Sequence, residues 1–178
     1  MIQLYYTLLE GDCSYKAQHE AGLALLRLCV SGEAVKIRPG GQPFIPGAPE
    51  FSISHSGALV LLAVSDAGRI GCDVEWLHRR IRNPEAIRKK LAPTPEEQAL
   101  GLLQLWVRRE AIFKSGGAGG VFYPAMPEEY IAAVACAVLP EGAILPQHLP
   151  LGAPGTGGCI PIFAPGGYPQ KSACKGQC

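Results

Sequence analysis

One segment constrains this chain more than any other. Ile70-Gly71-Cys72-Asp73-Val74-Glu75 sets two carboxylates two positions apart in a run that reads as a strand. Side chains two apart on a strand point to the same face. Asp73 and Glu75 therefore project together, and Cys72, Val74 and Trp76 project to the other side. Two acids side by side repel one another, a cost that a bound cation removes.

A second segment supplies the matching chemistry. In Trp106-Val107-Arg108-Arg109-Glu110-Ala111-Ile112-Phe113-Lys114, the residues Trp106, Glu110 and Lys114 are four apart and share one ridge of a helix. Three oxygen donors, Asp73, Glu75 and Glu110, leave a magnesium ion open positions for phosphate oxygens and water. Lys114 would neutralise charge on the same phosphate. Manganese suits the same oxygen ligands. The plainer alternatives are a surface Glu110–Lys114 pair worth a few tenths of a kcal/mol, roughly, and a solvated acidic edge at Asp73 and Glu75.

The third segment is Phe51-Ser52-Ile53-Ser54-His55-Ser56-Gly57. A histidine between two hydroxyls can hold a phosphate through imidazole and side-chain donors. A Ser-His hydrolase is the rival, but the G-x-S-x-G elbow is missing. Adjacent strand residues also point to opposite faces. The bland reading is a polar turn leading into a buried strand.

The rest of the chain reads as α+β. Met1 to Leu9 looks like a strand, and Tyr15 to Val30 a helix with apolar residues at three- and four-residue spacing. Pro39 to Pro49 is a Gly/Pro loop. Ala58 to Ser65 is an apolar, buried strand. After the turn Asp66-Ala67-Gly68, Arg69 to Trp76 reads as its hairpin partner. Asn83-Pro84 starts a helix running to about Leu91. Thr94-Pro95-Glu96-Glu97 carries the cap, N1 proline and capping box of another, extended to about Ser115 and ended by Gly116-Gly117. Glu129 to Leu139 reads as the closing strand, and residues 140–178 as an irregular Pro/Gly-rich tail.

Bulk properties narrow the function. The 178 residues carry a formal net charge of +1, so no global field draws nucleic acid or a membrane surface. The longest apolar run, Ile131 to Leu139, is too short to span a bilayer, and Met1 to Glu10 does not read as a signal peptide. The seven cysteines form no C-x-x-C pair. Reduced thiols in a cytoplasmic protein are the simpler reading. A zinc site from Cys159, Cys174 and Cys178 with His148 is the weaker one.

In order and spacing, the motifs resemble those of 4′-phosphopantetheinyl transferases. Gly41-Gln42-Pro43 stands where the family has a G-x-P loop. Phe51 to Ser56, Ile70 to Glu75, and the W-x-x-R-E-A-x-x-K run of Trp106 to Lys114 follow. The resemblance covers about residues 12 to 139 and is closest to the surfactin-synthetase-type branch. It implies a small antiparallel sheet packed with helices: a reduced N-terminal lobe (1–48), a core lobe (49–139) and the tail (140–178). It also implies transfer of the phosphopantetheine arm from coenzyme A to a serine of an acyl or peptidyl carrier protein. By motif position, Asp73, Glu75 and Glu110 hold magnesium. Glu110 is also the base, and Lys114 steadies the phosphate under attack. Ser54, His55 and Trp106 contact coenzyme A, with Lys16 and Arg38 as the nearby basic candidates.

Three departures stand out. Arg109 replaces the lysine before the glutamate, and Val107 a small polar residue. Gln42 replaces the lysine of the G-K-P loop. The N-terminal lobe is short, which admits a compact enzyme, one that completes its site by self-association, or a weak or inactive relative that binds carrier protein or nucleotide.

Overall fold

The apolar run in the middle of the chain decides the architecture. It forms β5 (Leu59–Ser65), buried at every position. Every backbone N–H and C=O of such a strand needs a partner, and both of its edges are taken. β4 (Glu50–Ser56) pairs with it antiparallel on one side, and β1 (Ile2–Leu8) antiparallel on the other. The two-residue connection Gly57-Ala58 joins β4 to β5, with Gly57 at φ +57°, a conformation that favours glycine.

This corrects the hairpin expected between residues 58–65 and 69–76. β5 has no free edge to offer. β6 (Ile70–Trp76) instead joins a second sheet, antiparallel to β8 (Tyr130–Cys136), which in turn pairs with β7 (Gly120–Phe122). The computed structural model describes residues 1–151 apart from 33 and 118. Cys159, Cys174, Cys178 and most of the tail lie outside the described residues.

The two sheets pack face to face. Leu4, Leu59, Leu61 and Ala63 from the first meet Ile70, Cys72, Val74, Ala132, Val134 and Cys136 from the second. Each outer face carries a helix. α1 (Tyr15–Cys29) sets Ala21, Leu25 and Leu26 against Phe51, Val60, Leu62 and Val64. Its start is capped by Ser14, whose hydroxyl accepts from Ala17 N. α3 (Leu102–Lys114) sets Val107 and Ala111 against Ala133 and Ala135. The alternation of β8 thus feeds two cores, one per face, and β6 gives Ile70, Cys72 and Val74 to the inner one. β1 shares its sheet with β4 and β5, so the sheets do not follow a division at residue 48. The chain passes from one sheet to the other through Asp66-Ala67-Gly68.

Peripheral elements complete the picture. The two short strands β2 (Lys36–Ile37) and β3 (Pro43–Phe44) pair within the Gly/Pro loop. α2 (Pro84–Leu91) starts at Asn83, whose side chain accepts from Ala86 N. β9 (Gln147–His148) lies in the stretch read as irregular, yet it pairs parallel with β1. Its His148 ring stacks on Tyr6 at 5.0 Å, and the adjoining Leu149 and Leu151 pack on the α1-side core.

The long helix expected over 94–115 is two pieces. The capping box at Thr94 and Glu97 forms, but only a single 3-10 turn, Pro95–Glu97, follows it. Gly101 is extended and starts α3 afresh. The reason is Glu97. Its carboxylate accepts from Arg108 Nε at 2.7 Å and Arg109 at 2.6 Å. In one continuous helix, residues eleven apart lie about 16 Å apart along the axis. The break folds Glu97 back onto α3.

Candidate active site

The site forms where β6 crosses the last turn of α3. Gly71 makes this possible. A Cβ there would lie 2.1 Å from Ala111 O and 2.4 Å from Ser115 N, so only glycine lets the strand press against the helix backbone. This contact delivers Lys114, the final residue of α3, onto β6. Lys114 Nζ lies 2.7 Å from Asp73 Oδ1 and 3.2 Å from Ser54 Oγ. Burial disfavours the ammonium. The neighbouring Asp73, Cys72 and Glu110 outweigh it and hold the Lys114 pKa above its ordinary value.

Asp73 and Glu75 share a face, as strand parity requires, and both are buried, 6% and 5% exposed. The solvated-edge alternative therefore falls. Asp73 Oδ1 also accepts from Ser54 Oγ at 2.8 Å. Glu75 Oε2 accepts from Ser56 Oγ at 2.7 Å, and Glu75 Oε1 pairs with Arg79. Burial, with the Asp73 charge adding to it, pushes the Glu75 carboxyl up, against the pull of Ser56 and Arg79. Arg79 in turn stands over the Trp106 ring, 5.5 Å from its centroid. Trp106 and Lys114, two turns apart on α3, thus reach the same pair of carboxylates, Trp106 through Arg79.

Glu110 lies one turn before Lys114, half-buried, and its charge is felt at the ammonium. It is not gathered with Asp73 and Glu75. Among the described residues no three His, Cys, Asp or Glu side chains stand in a metal-holding group. The residues that do meet fit a hard cation in one respect. Asp73 Oδ2 is buried and has no hydrogen-bond partner. A free carboxylate oxygen beside a second carboxylate is the donor set magnesium uses when the remaining positions go to water and phosphate.

The polar strand β4 divides the remaining residues between its two faces. Ser54 points toward Asp73. His55 points toward α1, with its ring edge-on to Tyr15 at 5.5 Å. That parity removes any Ser54–His55 base–nucleophile pair. Burial, then the Lys114 charge and His19, lower the His55 pKa, which favours a neutral imidazole with one N–H to donate. Lys16 is exposed on the first turn of α1, 3.9 Å from Glu20. Arg38 forks onto Glu50 at 2.8 and 2.6 Å and stacks on Phe44. Arg38, Gln42, Glu50, Arg69 and Lys114 line one small cavity, so Arg38 and Lys114 do meet. Arg38 is paired there with Glu50, and Lys114 with Asp73.

The sequence reading assigned no role to Gly71, Arg69, Arg79 or Ser52. For Gly71 the signal was present: a glycine in mid-strand marks a close backbone approach. Arg79 follows Glu75 by four positions but outside any regular element, so no periodicity pointed to it.

No family model matches the chain. It is 34% identical over 115 residues to 4′-phosphopantetheinyl transferase AcpT of Salmonella typhimurium, covering 57% of this chain and 59% of that protein. It is 33% identical over 109 residues to 4′-phosphopantetheinyl transferase AcpT of Escherichia coli K12, covering 54% and 56%. The chain spans less than two thirds of the length of the relatives it matches. The described residues form a mixed α/β fold with small sheets and three α-helices. Among the described residues no helix is long and apolar enough to cross a membrane.

Proposed function

We propose that this chain transfers the 4′-phosphopantetheine group of coenzyme A to a serine hydroxyl of an acyl or peptidyl carrier protein, in the cytoplasm. One observation carries the reading. A helix-borne lysine is docked 2.7 Å from a buried strand aspartate whose second oxygen is free, in a chain similar to named transferases. The order of motifs supports the surfactin-synthetase-type branch, with a shortened N-terminal lobe.

The division of labour follows from position. Asp73 and Glu75 would hold magnesium or manganese, with Glu110 joining them only by moving from its place on α3; the ion would supply charge neutralisation at the pyrophosphate. Lys114 neutralises charge on the phosphate under attack. Glu110 takes the proton from the carrier serine, directly or through water, as its oxygen bonds to phosphorus and adenosine 3′,5′-bisphosphate leaves. His55 and Arg38 orient the nucleotide end, with Lys16 and Trp106 in the wider coenzyme A contact and Ser54 reaching it only by giving up a bond it now makes. Most of the rate then comes from positioning.

The test is a mass measurement. Apo carrier protein, coenzyme A and magnesium are incubated with the chain, and the phosphopantetheine increment is sought. Its absence with several carrier proteins sinks the enzyme reading. Glu110→Gln keeps the fold and lowers transfer by about a hundredfold or more, the scale of a lost general base. Full activity in that variant removes the role given to Glu110. A second reading, a weak or inactive binding relative, is favoured by one observation: Asp73 and Glu75 each already face a cation of the chain itself. The same assay separates the two. A light-scattering mass tests self-association.

A further inference from the structure

The face of β4 that carries Ser52, Ser54 and Ser56 runs along the free edge of β6. Cys72 N donates to Ser52 Oγ at 3.0 Å, Val74 N to Ser54 Oγ at 3.2 Å, and Trp76 N to Ser56 Oγ at 3.0 Å. The three hydroxyls therefore pair the edge N–H groups that β8 leaves unused, and they lock the two sheets in register. Two of the three do something more. Ser54 donates its proton to Asp73 Oδ1 and Ser56 donates its proton to Glu75 Oε2. The unit repeats: one hydroxyl accepts from the backbone of one residue and donates to the carboxylate of the residue before it. At Ser52 the preceding residue is Gly71, which has no carboxylate.

Ser54 has no spare capacity. A hydroxyl has one donor and two acceptor sites. Its proton goes to Asp73, and its lone pairs to Val74 N and Lys114 Nζ. A phosphate contact at this hydroxyl would have to displace one of these. We infer that Ser54 and Ser56 are positioning residues, each holding one carboxylate oxygen, Asp73 Oδ1 and Glu75 Oε2, so that Asp73 Oδ2 stays free for a divalent cation beside Glu75. The result at Asp73 is a carboxylate with Oδ1 saturated and Oδ2 buried and free. At Glu75 the oxygen away from Ser56 meets Arg79, which stands where positive charge is wanted. This rests on the cation-holding role proposed for the two carboxylates.

Ser52 provides an internal control. Ser52→Ala removes the same kind of backbone bond as Ser54→Ala but touches no carboxylate. The measurement is Mn2+ binding to the purified full chain, read as loss of the free-ion electron spin resonance signal, with Mn2+ alone as the probe. Ser54→Ala weakens Mn2+ binding about tenfold, the scale of losing a partner that orients a ligand. Ser56→Ala weakens it less, because Arg79 still holds Glu75. Ser52→Ala binds Mn2+ like the parent, although all three variants lose some thermal stability. Equal Mn2+ losses in Ser52→Ala and Ser54→Ala reduce the ladder to a structural joint and overturn the inference. Parent-like binding in both Ser54→Ala and Ser56→Ala overturns it too. If Ser54→Ala fails to fold, the contrast between Ser56→Ala and Ser52→Ala decides. A parent that does not bind Mn2+ removes the cation seat, while the transfer reading stands or falls by its own mass assay.

Discussion

Two buried carboxylate sites lie against α3, and they are built on opposite principles. Glu97, bonded to Arg108 and Arg109, is fully provided for. One oxygen accepts from Arg108, and the other from Arg109 and the Thr94 backbone. The Thr94 bond first, then the two arginines working against burial, hold its pKa below the ordinary value. Asp73 and Glu75 share one lysine and one arginine. Glu75 is pushed up by burial, and one Asp73 oxygen has no partner. A carboxylate that serves the fold is satisfied within it. A pair left short of donors is waiting for something from outside, which is the physical sense in which the second cluster is a site and the first is a joint.

The largest effect expected from breaking this comparison is at Asp73. Asp73→Asn removes the charge that holds Lys114 and the proposed cation. Transfer falls by about a thousandfold, the upper range for losing one electrostatic element of a transition-state site. Thermal stability also falls, because Lys114 loses its buried carboxylate partner, but by less than the activity. A stability loss as large as the activity loss would make Asp73 a joint like Glu97.

Gly71→Ala comes next, because it separates α3 from β6 without touching a charged group. The added methyl meets the helix backbone, which no rotamer change can relieve. A cost of about 3 kcal/mol is expected, at the upper end for overpacking. A variant that unfolds at the parent's denaturant midpoint would show that the strand and helix are not pressed together.

Glu97→Gln tests the other side of the comparison. It costs about 2 kcal/mol, the scale of hydrogen bonds to a charged group, and leaves transfer nearly intact. The pH dependence has a definite sign. The folded pKa of Glu97 lies below the ordinary value of 4.5, so the folded state binds fewer protons than the unfolded one there. The stability that the ionised group contributes is present above 4.5 and is lost as pH falls through the folded value. The gap between parent and variant, measured by chemical denaturation, therefore narrows on acidification below that point. A gap that does not depend on pH would mean that the charge of Glu97 contributes nothing.

The contrast also explains what the sequence let a reader see. The parity of β6 and the i, i+4 ridge of α3 are local rules, and the structure has both. So are the caps at Asn83 and Thr94. What local rules missed was decided across the chain. β5 pairs with β1 and β4 because a strand buried at every position uses both edges, and this turned the expected β5–β6 hairpin into a crossing between sheets. The helix over 94–115 broke because Glu97 is bonded to residues a continuous helix would carry out of reach. Ser52 drew no role from its motif, and Ser56 only that of a hydroxyl beside a phosphate-binding histidine. Their value is set by a strand edge that only the assembled sheets create. Glu110 marks the remaining gap: its motif position implies metal binding, yet its side chain is not gathered with the other two acids.

The smallest expected effect is at Lys16, and it discriminates because it is small. Lys16 is exposed, and its 3.9 Å approach to Glu20 is a surface i, i+4 pair, worth about 0.3 kcal/mol. Lys16→Ala should therefore leave the melting temperature within error of the parent. If Lys16 contacts a phosphate of coenzyme A, its loss raises the KM for coenzyme A several-fold and leaves kcat alone, because an interaction made equally in ground and transition states affects binding only. Raising the salt concentration should shrink that difference, as it does for any exposed charge. The same substitution at Arg38 behaves differently. Arg38 is forked onto Glu50 and roofs the cavity that Lys114 also lines, so Arg38→Ala lowers stability as well as affinity. An unchanged KM in Lys16→Ala would confine coenzyme A recognition to the cavity of Arg38, Arg69 and Lys114, on the side of the molecule where the charges are left incomplete.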